Sequence, residues 1–549
     1  MGGSYMGRRR LYFDVTPTTA TTQRRNDGNS LFGAGQPKAN RVLRRYIRRP
    51  PVGGLYRGDR RVIVNHKRPV CGACAALVCA VFGSTLDSVV RRRLLLAFCF
   101  FLYTGVQSTT RPSMAALPRR ILLLTANVGS LFEESCALHD GWTREIVQVI
   151  ETQRPAFIAI HMQEVGGKKY AQCMKQVADF IQKFQQRLAQ FGYTIGHAYM
   201  DEAYDLSDSF TALGNVYLVH ESAATEVSHY DFATETFHPL SAGFSLDGGD
   251  LTQTTHVTKK RFPSDFWPSM KWGRKGFLHT RWLFSGIVLD LVNVHLFHDD
   301  SNLVNMDEEQ SSVYSNNRKR ALNCVLSEVE SRHAGYTTGV GVKPALFVFG
   351  DLNFRLDSNS FIKRIAPETE KRPVELLEVP TSPSNCSDLK NGPSLRRTLS
   401  AVEFRKPSEK MAHSDSDRDI VLRVERKRFD YCNENDLMLN WKRYLSDDKE
   451  LRNFPTLREM EINFQPTYPW SEDPDETVAF MKTRPPAWCD RVLMNDRAYS
   501  ILQDEEADSD DLPPEYQSIG RLTCMGDHKP VYLSLSLPEP SRSRSNAHP

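Results

Sequence analysis

Apolar residues in this chain come in short dense runs separated by longer stretches with helical spacing. Residues 121–125 (ILLLT), 156–162 (AFIAIHM), 287–296 (IVLDLVNVHL) and 345–349 (ALFVF) are dominated by Leu, Ile, Val, Phe and Ala, the mark of strands buried in a sheet. Residues 141–153 (GWTREIVQVIETQ) and 170–191 instead place apolar side chains every three or four residues, predicting an amphipathic helix and a surface helix. Strand, helix and strand over 121–163 give a βαβ-like entry into the sheet. Residues 214–220 and 225–232 alternate as antiparallel strands do, 240–269 read as mixed and looped, and 419–461 carry heptad-like spacing that predicts helices.

Two stretches break this pattern. Residues 366–418 are rich in Pro, Ser and charge and poor in large apolar side chains, which predicts a disordered insertion separating motifs without separating domains. Within it 396–400 (RRTLS) has the form of a basic-directed kinase site with Ser400 as acceptor. Residues 1–113 carry 20 Lys and Arg against 4 Asp and no Glu, and their lack of periodicity predicts disorder over most of that length. Two apolar runs there, 70–82 and 94–103, are too short to span a bilayer comfortably. The extension therefore reads as a targeting or anchoring segment with membrane contact, as a disordered basic tail, or as sequence outside the working protein. Residues 538–549 are expected to form a disordered tail.

The rest of the chain reverses the charge, with 50 Lys and Arg against 62 Asp and Glu. A domain that repels polyanions at long range is no general nucleic-acid binder, so any phosphate it holds must meet a local cluster of cations. The 11 cysteines are scattered and fit a reducing cytosol, and Cys71 and Cys74 read as small buried thiols. No cysteine follows Cys524, which leaves no prenyl acceptor at the C-terminus, and a cytoplasmic monomer is expected.

Titratable residues gather where the apolar runs stop. Five such runs end on Asn127, Glu164, His295, Asp351 and Asp490, and GDHKP (526–530) adds Asp527, His528 and Lys529. That set suits phosphate chemistry: a carboxylate to hold a divalent metal, another to orient an imidazole, a third to activate water, and cations to grip phosphate oxygens.

Gly350-Asp351-Leu352-Asn353-Phe354-Arg355 and Arg484-Pro485-Pro486-Ala487-Trp488-Cys489-Asp490-Arg491 match two long motifs of the inositol polyphosphate 5-phosphatases, and over 114–537 the chain resembles that family. Lys275-Gly276, the run 293–296 (NVHL) and FQPTYPW (464–470) match shorter family elements, although Pro469 stands where many lipid-directed members have a basic residue. The likeness is nearest to the type I inositol trisphosphate 5-phosphatases.

The resemblance implies a four-layer α/β sandwich of the endonuclease/exonuclease/phosphatase type. It also implies Mg²⁺-dependent removal of the 5-phosphate from soluble inositol 1,4,5-trisphosphate and 1,3,4,5-tetrakisphosphate. A lipid 5-phosphatase and a phosphodiesterase or nuclease of the same fold are the alternatives. In this reading Glu164, Asn127 and Asp527 hold Mg²⁺, and Asp351, held by Asn353, is the general base. His528, oriented by Asp490, and His295 donate to the scissile phosphate, while Lys275, Arg355, Arg491, Lys529, Arg484 and Lys482 grip the substrate.

Overall fold

The structure, a computed structural model, describes residues 119–133, 136–267, 273–304, 313–333, 343–378, 396–407, 419–503 and 512–538. The 1–113 extension, Cys71 and Cys74 and all but the first residue of the 538–549 tail lie outside the described residues.

Two seven-stranded sheets face each other. The first runs β17 (Glu515–Ser518), β18 (Val531–Ser536), β1 (Arg120–Asn127), β2 (Phe157–Gln163), β4 (Gly214–Val219), β3 (Ile195–Met200), β7 (Phe244–Asp247). The second runs β16 (Asp490–Met494), β11 (Ala345–Asp351), β10 (Ile287–His295), β9 (Gly276–Phe284), β5 (Val227–Asp231), β6 (Thr236–Pro239), with β8 (Thr258–Arg261) also paired to β9. Because strand side chains alternate, each apolar run feeds two cores. Ile121 and Leu123 meet Phe347, Phe349, Leu289 and Leu291 between the sheets. Leu122 and Leu124 meet Ile146 and Phe180, from α1 (His139–Gln153) and α3 (Val177–Ala189), on the outside of the first sheet. Val348 and Val294 meet Leu322 and Val325, from α4 (Val313–Ser331), outside the second. Helix, sheet, sheet, helix is the four-layer sandwich expected. The stretch expected as one helix over 170–191 divides into α2 (Tyr170–Cys173), a 3₁₀ turn and α3, and the looped 240–269 contains β7 and β8.

The inter-sheet core is apolar except for a row of polar bridges. Asn293 on β10 donates Nδ2 to Asn215 Oδ1 at 2.8 Å and to the carbonyls of Met162 and Gly214 at 3.1 Å, and its Oδ1 accepts from Gln163 Nε2 at 2.8 Å. Tyr217 meets Thr280 at 2.7 Å, and His161 lies flat on Phe349 with ring centroids 3.7 Å apart. Burial drives His161 down to about 3, so it is neutral in the folded protein at neutral pH. An unfolded histidine titrates near 6.5, so between these values the unfolded chain binds a proton that the folded one refuses, and stability falls as pH drops. The expected loss is about 1.4 kcal/mol per pH unit below about 6.5. Denaturant titrations from pH 7 to pH 5 should show a flatter dependence for His161→Gln than for the wild type.

The insertion is where the structure departs most from expectation. Residues 370–378 and 396–405, expected to be disordered, are β12 (Glu370–Glu378) and β13 (Arg396–Arg405) of a four-stranded antiparallel sheet with β14 (Ile420–Glu425) and β15 (Arg428–Tyr431). The helices expected over 419–461 accordingly shrink to α6 (Glu434–Leu439) and two 3₁₀ segments. Charge misleads because these strands alternate: Val402, Phe404, Leu422 and Val424 point inward onto Phe361 and Ile365, while Glu403 and Arg423 pair on the opposite face at 2.8 Å. Those two core side chains come from α5 (Ser358–Ile365), and α7 (Asp496–Leu502) is the last helix among the described residues. Ser400 sits at a bulge in β13 and donates Oγ to the Val374 carbonyl at 2.9 Å, so kinase access would require opening the sheet.

Candidate active site

The parallel register of β10 and β11 sets His295 beside Asp351, and the antiparallel register of β11 and β16 sets Asp351 beside Asp490. The strand ends on the first sheet supply Asn127 from β1 and Glu164 just after β2. Their side chains meet: Asn127 Nδ2 donates to Asp351 Oδ2 at 3.0 Å, and His295 Nε2 lies 3.2 Å from the same oxygen. Asn353 holds the other oxygen of Asp351 through its backbone N–H at 2.9 Å, and its amide donates to the Leu296 carbonyl. Glu164 and Asn353 both adopt left-handed backbone, at φ 57° and 53°, local strain of the kind kept at functional sites.

His528 donates Nδ1 to Asp490 Oδ2 at 2.8 Å, and Thr467 Oγ1 donates to that oxygen at 2.7 Å. The other carboxylate oxygen of Asp490 is buried without a partner. Burial disfavours charge on His528, yet Asp490 and then Asp351 outweigh it and push the imidazole up to about 10. Burial would likewise raise Asp351, but the charge on His528, with His295 and Lys275 behind it, holds that carboxyl below the usual range. The proton of this buried set therefore resides on His528. Glu164 is drawn down to about 2, with burial overcome by His295, Lys275 and Arg274.

Two sets of donors suit a cation. Gly129 lies where a Cβ would stand 2.9 Å from Glu164 Oε2 and 3.2 Å from Asn127 Oδ1, so both oxygens line one small space kept open by the missing side chain. Asp527, whose carboxyl burial pushes up with Glu164 adding to the shift, borders the same edge, with its Oδ1 3.0 Å from Ser130 Oγ. Asp351, Asp490 and His528 also present ligand atoms within 4.8 Å of one another, so this buried Asp/His group can hold a metal ion once it displaces the His528 proton. Hard oxygens dominate both sets.

The expected cations divide. Lys275 reaches the site: it is buried against His295 Nε2, and burial lowers it to about 8. Arg355 reaches it too, donating Nη2 to Asn353 Oδ1 at 2.7 Å and lying 4.8 Å over the Tyr468 ring, with Nε and Nη1 buried and unbonded. The other four are engaged with other partners in this structure. Arg491 follows Asp490 on a strand, so its side chain leaves by the opposite face and is held between Asp448 (2.7 Å) and Glu459. Lys529 donates to the Gly520 and Thr523 carbonyls and stacks on Trp470. Arg484 is spent on Asn302 Oδ1 and on the carbonyls of Asp299 and Arg426. Lys482 pairs with Asp430 and Glu434 on the surface. Replacing Arg491 by Met should thus lower stability by about 3 kcal/mol, leaving two buried acids unpaired, while KM stays within about twofold. A thermal melt beside a steady-state assay checks this.

The profile of the Endonuclease/Exonuclease/phosphatase family 2 matches residues 124–378 and 428–534. A probable type I inositol 1,4,5-trisphosphate 5-phosphatase of Caenorhabditis elegans is 44% identical over 425 residues, spanning 76% of this chain and 99% of that one. The chain belongs to the inositol polyphosphate 5-phosphatase family. Inositol polyphosphate-5-phosphatase A of Homo sapiens is 37% identical over 436 residues, 79% of this chain and 97% of that one. A crystal structure of the 5-phosphatase domain of SPsynaptojanin with inositol (1,4)-bisphosphate and a calcium ion aligns at a TM-score of 0.37 and 13% identity, covering 76% of this chain and 84% of that one.

Within this 5-phosphatase three further side chains contribute to the site. Thr467 steadies Asp490, Tyr468 lies 4.6 Å from the His528 ring, and Arg274 stands 3.7 Å from Glu164. The first two belong to the FQPTYPW element, whose match to the family was their only signal. No helix among the described residues is long and apolar enough to cross a membrane.

Proposed function

We propose that this 5-phosphatase removes the 5-phosphate from soluble inositol 1,4,5-trisphosphate and 1,3,4,5-tetrakisphosphate in the cytoplasm, with Mg²⁺ held by Glu164, Asn127 and Asp527. The observation that carries the reading is the buried row Asp351, Asp490 and His528, a cationic imidazole braced between two carboxylates. His528 donates a hydrogen bond to a phosphate oxygen and stabilises charge that builds there in the transition state. Asp490 and Thr467 fix the ring so that this donor is aimed before substrate arrives.

Asp351 accepts the proton of the attacking water. Before substrate binds, its carboxyl is held low by the charge on His528 and is a weak base. A phosphate dianion beside His528 offsets that positive charge, so substrate itself raises the basicity of Asp351. His295 and Asn127 keep the carboxylate oriented, and Lys275 and Arg355 meet the remaining phosphate charge. Bound Mg²⁺ supplies neutralisation of the phosphoryl oxygens and of the leaving alkoxide.

Purified chain, incubated with Mg²⁺ and inositol 1,4,5-trisphosphate, vesicles carrying phosphatidylinositol 4,5-bisphosphate, or a DNA duplex, tests the reading. Phosphate release from the soluble trisphosphate alone supports it. Faster release from the vesicles, or cleavage of the duplex, overturns it.

A further inference from the structure

The two-residue turn between β14 and β15 presents Arg426, Lys427 and Arg428 at the edge of a gap in the family match, whose two segments stop at 378 and resume at 428 and so leave out β13 and β14. We propose that this turn, with Lys427 at its tip, forms a wall of the substrate site that grips a ring phosphate other than the one removed. The inference rests on the inositol polyphosphate reading given above.

The turn is fastened to the site by backbone bonds. Asn302 N donates to the Arg426 carbonyl at 3.0 Å, and Asn302 Nδ2 lies within 3.2 Å of the Glu425, Arg428 and Thr483 carbonyls. Arg484 Nη1 donates to the Arg426 carbonyl and to Asn302 Oδ1. Asn302 is 4% exposed and lies seven residues beyond His295, on the segment that leaves β10 at the reaction centre. Arg484 and Asn302 line a cavity of about 20 Å³ together with Arg355, whose guanidinium bonds Asn353 two residues from Asp351. Arg484, expected to touch substrate, thus becomes the strut between the reaction centre and the turn.

Charge pairing singles out one side chain. Arg426 pairs with Asp300 at 2.7 Å, Arg428 with Asp430 at 2.5 Å, and Lys482 with Asp430 and Glu434. Lys427 is exposed and forms no ion pair or hydrogen bond among the described residues. A compact ammonium on a flexible stem, carried by a fixed turn, suits a ring phosphate at position 1 or 4, which the tris- and the tetrakisphosphate both carry. Lys275, buried against His295 Nε2, and Arg355, bonded to Asn353, are engaged at the reaction centre, which leaves the other ring phosphates to cations farther out.

Steady-state phosphate release from inositol 1,4,5-trisphosphate by the full chain, at low and at physiological ionic strength, tests the turn. Lys427→Glu should raise KM about 5- to 10-fold at low salt, less at higher salt, with kcat within about twofold. Lys183→Glu makes the same charge change on α3 and should leave KM unaltered. In an Asn302→Ala background the effect of Lys427→Glu should fall below about twofold, because the turn is no longer held; a purely structural role for Asn302 would leave that effect whole. Unchanged KM in Lys427→Glu, a rise equalled by Lys183→Glu, or an undiminished effect without Asn302 overturns the proposal. A wild-type chain that releases no phosphate overturns the parent function instead.

Discussion

Asp351→Asn should lower kcat on inositol 1,4,5-trisphosphate by about 10²- to 10⁴-fold while substrate binding stays nearly intact. The amide keeps the size of the carboxyl and can still accept from the Asn353 backbone N–H at 2.9 Å, so the loop geometry survives. What disappears is the proton acceptor, along with one of the three carboxylate charges, of Asp490, Asp351 and Asp527, that hold His528 protonated. Binding should even tighten slightly, since the variant carries one anion fewer beside the incoming phosphate. A rate above about one per cent of wild type, a hundredfold loss being the low end for a general base, would mean that another group activates the water.

Removing either partner of the Asp490–His528 pair should cost about 10²- to 10³-fold in kcat, and removing both should cost little more. Asp490→Asn takes away the nearest and largest counter-charge at 2.8 Å, so the imidazole keeps an acceptor for its Nδ1 proton but loses the main charge that holds it cationic. His528→Ala takes away the donor itself. Once one is gone the other has nothing to act through, and a double-mutant cycle should report strong coupling. Clean additivity would show two independent contributions and dissolve the pair. Circular dichroism of all three variants separates this outcome from loss of fold, because Asp490 is wholly buried.

Much of the candidate site was legible in the sequence because buried strands announce themselves as apolar runs, and the first polar residue after such a run is set down at the sheet edge. Asn127, Glu164, His295, Asp351 and Asp490 were found in this way, and they converge. The cations were read less well, for a reason the sequence also contained. A strand sends neighbours to opposite faces, so Asp490 pointing to the site commits Arg491 to the far side, where Asp448 and Glu459 wait. Proximity in a motif was mistaken for proximity in space.

The β12–β15 sheet was hidden by a different effect. Its strands alternate single apolar residues with Glu and Arg, and over a short window that composition imitates a solvated linker. Only long-range pairing, such as Ala401 against Glu425 and Val374, makes the pattern a sheet. No local signal joins those three residues.

The bridges of Asn293 bear on more than the stability of the core. Smooth hydrocarbon surfaces would let one sheet glide over the other at small cost, yet Asn127 and Glu164 ride on one sheet and His295, Asp351 and Asp490 on the other. A slip of one ångström would part Asn127 from Asp351 without unfolding anything. Turnover in this enzyme is thus a caliper for the offset between its two halves, and the polar rivets at Asn293, Gln163 and Asn215 are what set its zero.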